Sequence, residues 1–128
     1  MLVNELKEKI THMNTKDLEN RLIEFSVEII RIENILLKNK SSNHLYGQIL
    51  RSSTSCPLNY GEAQGAESRK DFIHKLKIIS KELRETQINL RIIKKAELSK
   101  NSSILNKLII ETNSLLSIFV AMECVIKL

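Results

Sequence analysis

Tryptophan is absent from this chain, aromatics make up only 4% of its 128 residues, and it contains one proline and three glycines. A many-turned sheet needs far more of the last two. The excess of Leu, Ile, Lys, Glu, Asn and Ser instead points to an all-α protein, and the length suits one domain with a real core. The shortage of aromatics leaves no platform on which successive bases could stack, which argues against sequence-specific reading of single strands. The two cysteines, Cys56 and Cys124, match no metal or redox spacing. A chain of this size needs no disulfide, so a reduced, cytoplasmic setting is expected. His12, His44 and His74 lie far apart, and none stands at helical ligand spacing from another His or Cys, so neither a metal nor a cofactor is expected. No catalytic residue emerges either. Ser52, Ser53, Thr54 and Ser55 beside Cys56 lack a base to activate them, and the glycines of NYGEAQG fit no phosphate-cradling loop.

Residues 1–13, MLVNELKEKITHM, mix charge with apolar residues and lack the basic start, apolar run and small-residue site of a secretory leader. They are expected to form an N-terminal extension to a bundle domain at 14–128. Leu2, Leu6, Ile10 and Met13 share a helical face, which fits a short extra helix or an early start of the first one. The most apolar run, LLSIFVAMECVI at 115–126, contains Glu123 and falls short of the ~20 residues a bilayer span requires, so it is expected to be a buried helix and no membrane partner is expected.

Four helical stripes organise the rest. Leu18, Leu22, Phe25, Ile29, Ile32 and Leu36 keep one face toward a partner helix, with Thr15 as expected N-cap, Asp17 in the first turn and the polar run at 38–43 as terminator. A second helix, expected from about Ser42, carries Leu45, Ile49, Ser53, Cys56, Tyr60 and Ala63. Pro57 removes one amide and collides with the carbonyl of Ser53, so a kink or a break is expected there, with hydroxyls of Ser52 to Ser55 free to take up the unpaired backbone groups. The third helix opens at Ser68 with Asp71 three residues on, and aligns Phe72, Leu76, Ile79, Leu83, Thr86, Leu90 and Ile93. The fourth follows SKNSS and aligns Leu105, Leu108, Thr112, Leu115, Phe119, Met122 and Ile126. Four amphipathic helices with short polar connections make an antiparallel up-and-down four-helix bundle.

That core does not use all the apolar surface. Ile23, Val27, Ile30 and Leu37 form a second stripe on the first helix, Ile73, Ile78, Ile88 and Ile92 lie off the third helix's seam, and ten of the twelve residues at 115–126 are apolar. Self-association is the expected outlet; a monomer with scattered exposed isoleucines is the alternative.

The formal charge is +5, and residues 68–95 hold nine Lys or Arg against three acids. At about 100° per residue, Lys70, Lys77, Lys81, Arg84, Arg91 and Lys95 occupy a sector of roughly 80° opposite the core seam, with Asp71, Glu82 and Glu85 on one flank. Three readings fit: a solvated face, a phosphate-binding row for nucleic acid, or a basic face that meets the acidic flank of another subunit. Glu82 and Glu85, one turn apart, are expected to form salt bridges, for example with Lys81 or Arg84 of a neighbour. Asn59, Tyr60 and Glu62 read as polar residues near Pro57 that hydrogen-bond across the bundle or into an interface.

Gln48, Arg51, Ser52 and Ser55, then Asn59, Glu62 and Ala63 after Pro57, then Ser68, Phe72, Glu82 and Glu85 form a long spaced pattern. It resembles the signature of bacterial four-helix bundle proteins from intervening sequences in 23S ribosomal RNA genes. The likeness spans about 18–126 and is strongest at 48–93, with Cys56 standing where other small residues are usual. The resemblance implies a homopentameric bundle with a basic channel or face, for which nucleic-acid binding is the usual conjecture. It also implies similarity in fold to the accessory protein of diversity-generating retroelements, which forms such a pentamer and engages a reverse transcriptase and RNA. The expected function is therefore that of a non-enzymatic, oligomeric nucleic-acid-binding or ribonucleoprotein accessory protein, with Arg51 added to the helix-three cations as a candidate contact. A nearby retroelement would bring in a reverse transcriptase or other protein as partner. The rival is a protein-interaction scaffold whose charges direct assembly or partner docking.

Overall fold

The computed structural model describes residues 14–127, so the expected extension at 1–13 lies outside the described residues. Within them stand four α-helices: α1 (Thr15–Arg31), α2 (Lys40–Gln64), α3 (Arg69–Lys95) and α4 (Ser102–Lys127). No strand is present among the described residues.

The caps explain where each helix starts. Asn14, not Thr15, caps α1, because its extended backbone lets the side-chain carbonyl accept from the Asp17 amide at 2.8 Å. Asn39 does the same for the Ser42 amide, so α2 begins at Lys40, two residues before the expected start. Ser68 caps α3 through the Asp71 amide, as the spacing predicts, and Asn101 accepts from Ile104 at the head of α4. At the far end of α3, Glu97 sits in the left-handed region at φ 56°, while the amides of Glu97 and Leu98 donate back to Lys94 and Ile93. That is a Schellman closure built on a non-glycine residue.

The first stripe is not one continuous α-helix. It tightens into a 3-10 turn at Ile32–Ile35, after which Leu36 becomes extended. The reason is a tie between two connections: the Leu37 amide donates to Leu98 at 2.9 Å, and the Lys100 amide donates to Ile35 at 2.6 Å. Leu36 and Ser99 thus form an isolated antiparallel bridge.

α2 contains no break at Pro57; the helix runs unbroken through it. The carbonyl that proline leaves unpaired, at Ser53, accepts from Ser26 Oγ on α1 at 3.1 Å. The acceptor expected to be served by a neighbour in the same helix is served from another helix. The local hydroxyls instead bond back within their own helix, Thr54 to Leu50 and Ser55 to Ser52, each at 2.7 Å.

All six positions of the first stripe, four on α1 and Ile32 and Leu36 beyond its end, are buried, and so are the corresponding residues of α2 to α4 except Leu45, Phe72 and Ile126, which are partly buried against the core. Tyr60 and Phe119 meet edge to face at 5.7 Å. Each fully buried Leu or Ile contributes on the order of 1.5–3 kcal/mol, so these seams dominate the fold's stability. Consecutive helices pack on each other, and α4 touches α1 more sparingly. Residue pairs that join α2 to α3 run in opposite order along the two helices, Ser52 with Thr86 and Glu62 with Lys75. From α3 to α4 the order is likewise reversed, Ser80 with Glu123 and Gln87 with Asn113.

Candidate nucleic-acid interface

α3 presents the cations because its opposite face is committed to the core. Lys70, Lys77, Lys81, Arg84, Arg91 and Lys95 are all exposed, and among the described residues none lies within 4.0 Å of a carboxylate. From Lys70 to Lys95 they follow the helix for about 38 Å at 1.5 Å per residue. The row is longer than the expected set in one place. Arg69 and His74 join Lys70 and Lys77 around Ile73, where they line a shallow surface groove. Their helical angle was a usable signal, since at about 100° per residue Arg69 and His74 fall only roughly 20–40° outside the sector of the row.

Arg51 does not belong to this row. Its guanidinium lies at the α2–α3 seam, where Nη2 donates to Glu85 Oε2 at 2.6 Å and Nη1 to Glu82 Oε2 at 3.2 Å. Hydrogen bonding to Glu85, followed by the charge of Glu82, raises its pKa above the ordinary value. Glu82 is only 8% exposed, so its carboxylate needs that partner. The two glutamates expected to pair with Lys81 or Arg84 of a neighbour pair instead with Arg51 of the same chain.

The remaining signature residues serve contacts between and within helices. Ser52 Oγ and Thr86 Oγ1 lie 2.6 Å apart in the buried α2–α3 seam. Asn59 donates to the Ser55 carbonyl, Glu62 accepts from Lys75 Nζ at 2.9 Å, and Gln48 is half-buried. One further pair had no sequence signal. Arg21 on α1 reaches α4, donating to both Glu111 oxygens at 2.7 and 3.0 Å and to Ser114 Oγ at 2.8 Å. Among the described residues, no group of three or more His, Cys, Asp or Glu could hold a metal ion.

A buried seam of small hydroxyls, an Arg51–Glu82–Glu85 clamp and a cationic outer ridge are thus drawn from one stretch of sequence. The family model described as 23S rRNA-intervening sequence protein matches residues 15–120. The chain belongs to the 23S rRNA-intervening sequence protein family. A solved structure similar to it is a protein of unknown function of the S23 ribosomal protein family from Bacteroides thetaiotaomicron. The two are 28% identical with a TM-score of 0.77, over 88% of this chain and 99% of that one. No curated protein matches the chain. In this member of the 23S rRNA-intervening sequence protein family Arg51, Ser52 and Glu62 of α2 meet Glu82, Glu85, Thr86 and Lys75 of α3, and α3 also carries the cations.

Proposed function

We propose that this protein is a non-enzymatic, self-associating antiparallel bundle, bent at Pro57, that binds nucleic-acid phosphates along α3. The observation that carries the binding reading is the row of exposed cations on α3 without carboxylate partners among the described residues. An ordinary solvated helix face alternates signs, whereas here Glu82 and Glu85 turn to Arg51 at the α2 seam and leave the cations alone. Arg69, Lys70, Lys77 and Lys81, exposed in the N-terminal half of the helix, are the phosphate contacts. The reversed order of the α2–α3 and α3–α4 pairs supports the antiparallel arrangement. Against catalysis stands the engagement of the signature hydroxyls Ser52 and Ser55, with Thr54 beside them, in helix bonds, with no His or carboxylate bonded to any of the three among the described residues.

Self-association is supported by exposed Ile23, Ile30, Leu58 and Ile110, the last two at 69% and 67%. α4 from Ser102 to Ile126 has a mean hydropathy of 1.7 over its best window, and its length and composition suffice to cross a membrane. The short length counted for its apolar run therefore decides nothing. A cytoplasmic assembly fits its outer face better, because Asn106, Asn113 and Ser117 interrupt that face at helical spacing.

The test is a gel shift with structured RNA, duplex DNA and single strands across a salt series. Four phosphate contacts predict a log–log slope of roughly −3 to −4. Lys77→Glu/Lys81→Glu abolishes the shift, whereas Arg51→Ala leaves it once folding is matched. Absence of any shift at low salt, or full binding by the Lys77/Lys81 variant, sinks this reading. The scaffold reading is favoured by one observation, the exposed Ile88 and Ile92 among Arg84, Arg91 and Lys95.

A further inference from the structure

The cationic ridge of α3 is not uniform along its length. Its N-terminal half is cationic around Ile73, which is partly buried, whereas from Arg84 onward Arg84, Arg91 and Lys95 alternate with Ile88 and Ile92, 48% and 44% exposed. Phosphate binding needs no aliphatic side chains, and leaving two isoleucines in water is unfavourable. A cationic ridge with an apolar crest has the chemistry of a protein contact.

A surface of the matching kind lies between α1 and α4, where the two helices touch sparingly and leave a groove. Its floor includes Phe25, Ile104 and Leu108, and acids Asp17, Glu24, Glu28 and Glu111 stand along it. Two cations also line it, Arg21 and Lys107, but Arg21 is bound to Glu111. Glu28 has only a 3.5 Å contact with Arg31 on its own helix, and Glu24 has no ion pair among the described residues. The groove thus keeps a surplus of carboxylate over an apolar floor. The α1 wall at 17–28 and the α3 crest at 84–95 are each twelve residues long, about 18 Å.

We infer that the α1–α4 groove of one copy receives the Arg84–Lys95 segment of α3 from a second copy, with Ile88 and Ile92 on the apolar floor and Arg91 and Lys95 against Glu24 and Glu28. This deepens the self-association proposed above and rests on it. Groove and crest are different patches of one chain, so the contact is head-to-tail and propagates into a closed ring or an open chain. Such an interface tolerates no symmetric pairing of α3 with itself, since cation would face cation.

The test is a charge swap read by analytical ultracentrifugation at micromolar concentration, with circular dichroism to verify folding. Arg91→Glu/Lys95→Glu reverses the crest, and Glu24→Lys/Glu28→Lys reverses the groove. Each variant alone is expected to fall to the protomer mass of 14.7 kDa. A chain carrying all four reversals regains the wild-type mass, because every reversed crest then meets a reversed groove whatever the number of copies in the ring. Lys77→Glu/Lys81→Glu keeps the wild-type mass, which separates this contact from phosphate binding. The inference is overturned if either charge-reversed variant keeps the wild-type mass or if the chain with all four reversals stays dissociated, with self-association itself still standing. A wild-type chain that sediments at the protomer mass overturns both.

Discussion

Cys56 shows what burial does to a single side chain. Its thiol is fully enclosed on α2 and donates to the Ser52 carbonyl at 3.4 Å. Burial, and secondarily the negative charge of Glu82, pushes its pKa from 9.0 up to about 12. The thiol is therefore inert in the folded protein, since the thiolate is the reactive form. The folded pKa lies above the unfolded one, so this group's contribution to stability is complete below pH 9 and is lost as pH rises toward 12. In a Cys124→Ser background, we expect no alkylation of the native protein at pH 8 and one thiol modified after unfolding. Denaturant midpoints should then decline between pH 9 and pH 12 more steeply than in a Cys56→Ala variant. Rapid native alkylation would show that Cys56 is open to solvent.

At the scale of elements, the joint between α1 and α2 depends on one hydroxyl. Pro57 leaves the Ser53 carbonyl without an amide inside α2, and Ser26 Oγ supplies the missing donor while also bonding its own helix at Leu22. Ser26→Ala leaves that carbonyl unpaired in a buried seam and should cost about 1–2 kcal/mol in urea unfolding. With Pro57→Ala the new amide takes the carbonyl, and the same Ser26→Ala change should cost about 0.5 kcal/mol or less. A double-mutant cycle reads the coupling directly, and equal costs in both backgrounds would remove Ser26 from this role. The joint also marks the boundary of what a sequence discloses. The seams themselves, from Leu18 to Leu36 or Leu76 to Ile93, were legible because core burial imposes a period on the chain. Ser26 was not, because its partner is 27 residues away and nothing local records which helix lies opposite. The same holds for Arg51, whose charge invited a place on the cationic row until Glu82 and Glu85 were seen across the seam. The bridge between Leu36 and Ser99 gave no periodic signal, being one pair long.

For the molecule as a whole, the decisive quantity is the apolar surface left over after one core is built. Only 33% of α4's most apolar window is buried inside the protomer. Leu58 and Ile110 are more than half exposed on different helices, so no rearrangement of one seam could cover both. A chain that leaves this much surface uncovered gains stability from whatever covers it, and copies of itself are always present in proportion to its concentration. Association that favours the folded state makes the melting temperature depend on concentration by mass action. With an unfolding enthalpy typical of a domain this size, a tenfold rise in protein should lift Tm by roughly 3–5 °C. Scanning calorimetry at two concentrations checks this, and 0.5 M salt adds a further discrimination. If charge holds the copies together as well as apolar contact, the concentration dependence should shrink as salt screens the ion pairs. A Tm that does not move with concentration would mean that the protomer bears its exposed isoleucines unaided.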